Sequence, residues 1–198
     1  MKPLLIATGN KGKLKEIEAT LGSEVHLRNL ADFPDVHEVI EDGDTFEANA
    51  IKKASEMCTL TGLITLADDS GLEVNILDGA PGIYSARFAG PNTTDEDNNK
   101  KLLRLLADVP NGKRQARFRC VIAIVTPGGE VKTISGTWEG HIIHEPRGEN
   151  GFGYDPLFFS PEHGKTSAEL EREQKNRASH RGKALRAAKS LILETLGD

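Results

Sequence analysis

Residues 65–74, TLADDSGLEV, decide how the chain is read. An apolar run of strand length over 63–67 ends in two adjacent aspartates, a serine and a glycine, and the apolar pattern then resumes. The pattern predicts a strand over 63–67, an Asp-Ser-Gly turn, and a further strand over 72–77. Such a turn needs only one aspartate. The second meets repulsion and desolvation unless a cation lies nearby. Ligands of open α/β sheets bind outside the carboxyl ends of strands, where a carboxylate pair can hold Mg2+. Asp68 and Asp69 are therefore the first candidate site residues.

The elements around this stretch follow the same logic. A buried strand over 4–7 stops at Thr8-Gly9-Asn10, and Leu14, Ile17 and Leu21 then recur at helical spacing up to Gly22. A second strand is expected over 25–30. Asp44 and Glu47 have the spacing of a capping box, with Phe46, Ala50, Ala54 and Met57 on one face of the helix that follows. A Gly- and Pro-rich loop precedes a helix over 94–106, capped by Thr94 with Asp97. The turn Pro127-Gly128-Gly129-Glu130 separates two strands that should pair as a hairpin, and a helix closes the chain. Early alternation of strands and helices, with a later hairpin, predicts an α/β domain with a mixed sheet, and residues 1–198 read as one domain.

Composition narrows the function. The 198 residues are 37% hydrophobic and 28% charged, as in ordinary soluble proteins. A net charge of -5 argues against a general nucleic-acid or anionic-membrane surface, and 5% aromatics leave little for single-strand stacking. Cys58 and Cys120 have no metal-like spacing and read as reduced, buried thiols. No apolar run approaches a membrane span, so the cytoplasm is the expected compartment.

Four clusters carry chemistry. In the loop Thr8-Gly9-Asn10-Lys11-Gly12-Lys13, a helix start with glycines and lysines could receive a phosphate, although glycine turns before helices are common. Of the acids over 38–47, capping accounts for Asp44 and Glu47, whereas Glu41 is left as a candidate metal ligand; Lys52 reads as solvated. The segment Gly151-Phe152-Gly153-Tyr154-Asp155-Pro156 could expose an aromatic face with an acceptor, or simply turn into a core strand. Lys175, His180 and Arg181 surround a break between helices at Ser179, suited to anion or carbonyl recognition. Together these parts suit a metal-dependent enzyme acting on a nucleoside phosphate.

ATGNKGKLKE, ADDSGLEVNILDGAPGIYSARFAG, GFGYDPLFF and KNRASHRGKAL, in this order and across nearly the whole chain, resemble the non-canonical purine nucleoside triphosphate pyrophosphatases, the inosine/xanthosine triphosphatase (Ham1-like) family. The resemblance implies a long mixed central sheet flanked by helices, two lobes with an active-site cleft between them, a homodimer, Mg2+, and hydrolysis of ITP, dITP and XTP to the monophosphate and pyrophosphate. It implies that Thr8, Gly9, Asn10, Lys11, Gly12 and Lys13 receive the triphosphate, with Ser70 and Lys53 on the phosphates. Glu41 and Asp69 would hold the metal, Asp69 would also be the base, and Asp68 would support it. Phe152, Gly153, Tyr154, Asp155, Lys175, His180 and Arg181 would bind substrate, Phe152 stacking on the purine. A Maf-like pyrophosphatase or a phosphatase is the enzymatic alternative. A non-catalytic nucleotide binder is disfavoured, because paired acids near phosphates bring a pure binder little.

Overall fold

The computed structural model describes residues 2–37 and 39–197; Met1, Asp198 and Glu38, an acid of the 38–47 stretch, lie outside the described residues. Its centre is one seven-stranded mixed sheet, ordered β2-β1-β3-β4-β5-β6-β7. The strands are β1 (Leu4–Ile6), β2 (Leu27–Asn29), β3 (Ile64–Val74), β4 (Gln115–Val125), β5 (Val131–Ile142), β6 (Phe158–Ser160) and β7 (Lys165–Thr166). The helices are α1 (Lys11–Leu21), α2 (Phe46–Thr61), α3 (Asp95–Leu105), α4 (Arg172–Ala178) and α5 (His180–Gly197). β1 pairs in parallel with β2 and β3, whereas β6 is antiparallel to β5 and β7. The predicted α/β class and mixed sheet are both present.

The largest departure concerns β3. No turn interrupts it at Asp68-Asp69-Ser70-Gly71; eleven residues run through as a single strand, and only 75–77 leave it, as a 3-10 turn. Side chains alternate along a strand, so a chain that passes straight through sends Asp68 and Asp69 to opposite faces. Register explains how a mid-strand pair can still sit at a strand end. Ile6 stands opposite Leu66, so Asp68 lies two residues beyond the last residue of β1, where that neighbour has already turned into its loop. Smaller differences are a shorter β2 than the expected 25–30, and a start of α2 at which Thr45, rather than Asp44, accepts the Ala48 N–H as N-cap. Glu47 is not a cap partner either: it accepts a hydrogen bond from Thr133, 2.7 Å away.

Contacts divide the chain into two compact units, one of residues 1–69, 120–136 and 180–198, the other of 70–119 and 137–179. In the first, the apolar stripes of α1 (Ile17, Leu21) and α5 (Leu185, Ala188, Ile192) pack with Leu4, Ile6, Leu66, Ile122 and Ile124. The core of the second gathers Leu72, Val74, Leu102, Phe118, Trp138, Tyr154 and Phe158, with the Phe118 and Phe158 rings 4.5 Å apart. Both cysteines are free and buried.

β5 approaches the start of α5 closely at Gly136, where an added Cβ would lie 2.3 Å from the His180 carbonyl oxygen and 2.9 Å from the Ala184 nitrogen. Neither atom can yield, because both belong to helix backbone. We expect Gly136→Ala to destabilise the protein by about 1–3 kcal/mol through overpacking. Chemical denaturation should show this as a lowered midpoint with an unchanged slope.

Candidate active site

Asp68 is 1% exposed and lies in a ring of cations. Lys13 of α1 approaches to 3.3 Å and the Arg181 Nε of α5 to 3.1 Å, while the Cys120 thiol stands 3.9 Å away. Burial alone would raise its pKa, but Lys13, Arg181 and Lys53 together outweigh it and hold the carboxyl well below the ordinary carboxylate range. Arg181, itself buried, carries a second carboxylate: Glu16 accepts from its Nη1. Two of the three guanidinium nitrogens of Arg181 therefore serve carboxylates of its own unit. Arg181, expected to bind substrate, thus shares with Lys13 the neutralisation of Asp68. The Cys120 thiol is pushed up to about 12, first by burial and then by the Asp68 charge, and is no nucleophile.

On the other face Asp69, also buried, accepts a hydrogen bond from Asn49 of α2, 3.1 Å away. Asn49 is fixed in turn by accepting the Gly43 N–H at 2.8 Å. Burial is the largest influence on Asp69 and raises its pKa; Lys13 opposes this, the Glu41 charge adds to it, and Lys53 and Asn49 oppose it in smaller measure. The two neighbouring aspartates are thus driven apart, one held ionised and the other pushed toward holding a proton. Lys53, on the same helix as Asn49, pairs with Glu41. Lys52, read as solvated, pairs with Asp42 at the surface.

The first loop is arranged differently from a simple anion nest. Asn10 caps α1 and accepts the N–H groups of both Gly12 and Lys13, at 2.9 and 3.0 Å, while the Thr8 hydroxyl accepts the Asn10 N–H. The helix-start amides expected to face a phosphate are therefore partly satisfied within the loop. Gly9 needs no special conformation, and a Cβ there would touch nothing within 4 Å, so its glycine is not required by the loop itself.

In the second unit the glycine segment is organised by Asp155. This buried carboxylate accepts from the Phe152 N–H at 2.9 Å, from Lys175 at 2.6 Å and from the Ser167 hydroxyl at 2.7 Å. It acts as an internal anchor, not as the open acceptor the sequence suggests. Gly151 makes this geometry possible: its φ is +82°, and a Cβ would lie 2.0 Å from the Asp155 carboxylate. Lys175 stands 4.7 Å from the centre of the half-buried Phe152 ring, within cation–π range. Tyr154, expected to share the aromatic face, is a core residue whose hydroxyl donates to the Ser85 carbonyl at 2.8 Å. Burial first, and the Asp95 charge second, raise its pKa. Ser70 follows Asp69 in β3 and is half-buried, and His180 opens α5 as a buried residue.

Several structuring residues escaped the sequence reading. Nothing in the sequence pattern singles out Glu16 of α1. Asn49, three residues after Phe46 on the apolar stripe, was a readable exception. Asp95, Asn99 and Ser167 gave no signal.

Fold and site together define an α/β protein built around a buried aspartate pair bracketed by lysines and an arginine. The sequence model of the Ham1 family matches residues 4–191. A dITP/XTP pyrophosphatase of Geobacter sulfurreducens is 57% identical over 198 residues, covering 100% of this chain and 98% of that protein. One of Desulforamulus reducens is 55% identical over 190 residues, 96% of this chain and 94% of its own. Among solved structures, the Ham1 protein of Staphylococcus aureus superposes with a TM-score of 0.87 at 42% identity, over 98% of this chain and 100% of that one. A HAM1 protein from Coxiella burnetii gives 0.89 at 42% identity, with the same coverage. The chain belongs to the Ham1 family.

The ring around Asp68 makes a testable demand on stability. Its pKa is lower in the folded than in the unfolded chain, so the stabilisation is complete above the unfolded value and is lost as pH falls through the folded one. Asp68→Asn leaves Arg181 and Lys13 short of a counter-charge and should cost roughly 3–5 kcal/mol. The variant's stability should also depend less on pH below about 4, as read by denaturation across pH.

Proposed function

We propose that the chain hydrolyses the non-canonical purine nucleoside triphosphates ITP, dITP and XTP to the monophosphate and pyrophosphate, which removes deaminated purines from the pool that feeds DNA and RNA. One observation carries the reading beyond family membership: alternation splits the aspartates into an Asp68 held by Lys13 and Arg181 and an Asp69 on the other face, oriented by Asn49 and with its pKa raised by burial. A raised, buried carboxylate beside lysines suits a group that orients a water and takes its proton. Lys13, Lys53 and Lys11 would offset the charge of the triphosphate, and Asp68 keeps Lys13 in place. Gly9, with no internal need for glycine, would let a phosphate approach the main chain, and Ser70 would add a hydroxyl. Residues 1–198 act as one catalytic domain in this reading.

Mg2+ fits the donor set. Glu41 and Asp69 are hard oxygen donors, and the Glu41 charge raises the Asp69 pKa, a penalty that a shared cation would relieve. Among the described residues no group of three or more His, Cys, Asp or Glu could hold a metal. Two carboxylates completed by water and phosphate oxygens is the way Mg2+ is usually held. Bound there, it would supply charge neutralisation for the leaving pyrophosphate. Lys53, now paired with Glu41, would then be available to the phosphates.

Phe152, backed by Lys175 and anchored through Asp155, is the group on which we place the purine. Discrimination falls on the purine 6-position, where hypoxanthine and xanthine carry an oxo acceptor and adenine an amino donor. His180 is the better-placed donor of the His180–Arg181 pair, given the carboxylate duties of Arg181. An adenine amino group facing a donor leaves buried polar groups unpaired, at about 1–3 kcal/mol. We further propose a homodimer working in the cytoplasm, with neither nucleic acid nor membrane as partner. Among the described residues no helix is long and apolar enough to cross a membrane.

A nucleotide panel with Mg2+ tests this directly. ITP, dITP and XTP should yield pyrophosphate, and ATP and GTP should react poorly; stepwise release of orthophosphate would overturn the pyrophosphatase reading. Asp69→Asn should lower kcat by roughly 10²–10⁴-fold with an unchanged melting temperature. Retained turnover would remove Asp69 from the role of base.

A further inference from the structure

α3 carries two side chains that grip a single residue of the glycine segment. Asp95 accepts the Gly153 N–H at 2.6 Å, and Asn99, one turn later, donates to the Gly153 carbonyl at 2.9 Å. Both main-chain groups of Gly153 are therefore satisfied from one helix. Gly153 itself is in the left-handed region at φ +61° and follows directly on Phe152. On the other side of Phe152 its own N–H is held by Asp155. The ring is thus set by hydrogen bonds at two successive peptides.

Packing does not duplicate this grip. A cavity of about 520 Å³ lies between α3 and the segment, lined among others by Asp95, Asn99, Leu103, Pro146, Phe152 and Leu157. Space on that side means that the segment can sink toward α3 once the hydrogen bonds are gone. The start of α3 does not depend on Asp95, because Thr94 and Asp97 form a complete capping box.

We infer that Asp95 and Asn99 are positioning residues for purine recognition, holding Gly153 so that the Phe152 ring stays at stacking height above the cavity. They act through the main chain and touch neither the phosphates nor the reacting water. The inference rests on the assignment of Phe152 to the purine.

Two measurements test it. In steady-state kinetics with ITP, Asp95→Ala and Asn99→Ala should each raise KM about tenfold while kcat stays within about twofold, since only binding of the base is weakened. Asp95→Asn keeps an acceptor oxygen for the Gly153 N–H and should restore the KM. If Asp95 served only as a negative charge at a helix start, Asn would fail as badly as Ala, and that result would overturn the inference. Inhibition by inorganic tripolyphosphate, which has no base, should be equal in all variants; parallel weakening would mark general loss of structure and likewise refute it. The second measurement is independent of turnover. Hydrogen exchange at the Gly153 amide should accelerate about tenfold in Asp95→Ala and not in Asp95→Asn. An unchanged exchange rate in Asp95→Ala removes the grip itself, whereas a wild-type protein inert toward ITP refutes the proposed function and leaves the exchange test standing.

Discussion

The burial of the Asp68 charge is the constraint on which the first unit depends. An ion taken out of water carries a penalty of several kcal/mol, and only close counter-charges in good geometry offset it. Here they come from both helices on one face of the sheet: Lys13 from α1 and Arg181 from α5, the latter held also by Glu16 of α1. The same network therefore joins the first helix to the last and levels both against β3. Apolar packing of Ile17, Leu21, Leu185 and Ile192 supplies attraction but no fixed register, whereas a buried ion pair tolerates little displacement.

Asp69 shows how one backbone gives adjacent acids different surroundings. Alternation along β3 gives it the other face, where Asn49 and a lysine–glutamate pair replace the full cationic ring. Two chemically identical side chains, adjacent in sequence, acquire opposite tendencies toward a proton. The second unit repeats the theme with Asp155, a buried carboxylate whose oxygens are taken up by a lysine, a hydroxyl and a main-chain N–H. In both units an anchored acid holds the local geometry.

Much of this was legible in the sequence, and the failures have physical causes. The alternation of elements, the cap at Thr94, the hairpin and the clusters of candidate residues follow from short-range rules. Asp-Ser-Gly reads locally as a turn, but incorporation into the sheet overrode that preference and drew β3 straight through, past the end of its β1 neighbour. Phe152 and Tyr154 each follow a glycine and look alike locally; the packing of the second core and the Ser85 carbonyl, both distant in sequence, take up Tyr154. The second carboxylate on Arg181 could not be foreseen, because Glu16 and Arg181 are 165 residues apart.

The division of the chain gives the order in which these parts can come together. The first unit takes residues from the beginning, the middle and the end of the sequence, and the second takes the two stretches between. During synthesis from the N-terminus, β3 emerges with Asp68 long before Arg181 exists, so this buried anion lacks one of its main counter-ions until α5 is made. The nascent chain therefore cannot complete its first unit piecemeal. α5 is the segment of that unit that is made last.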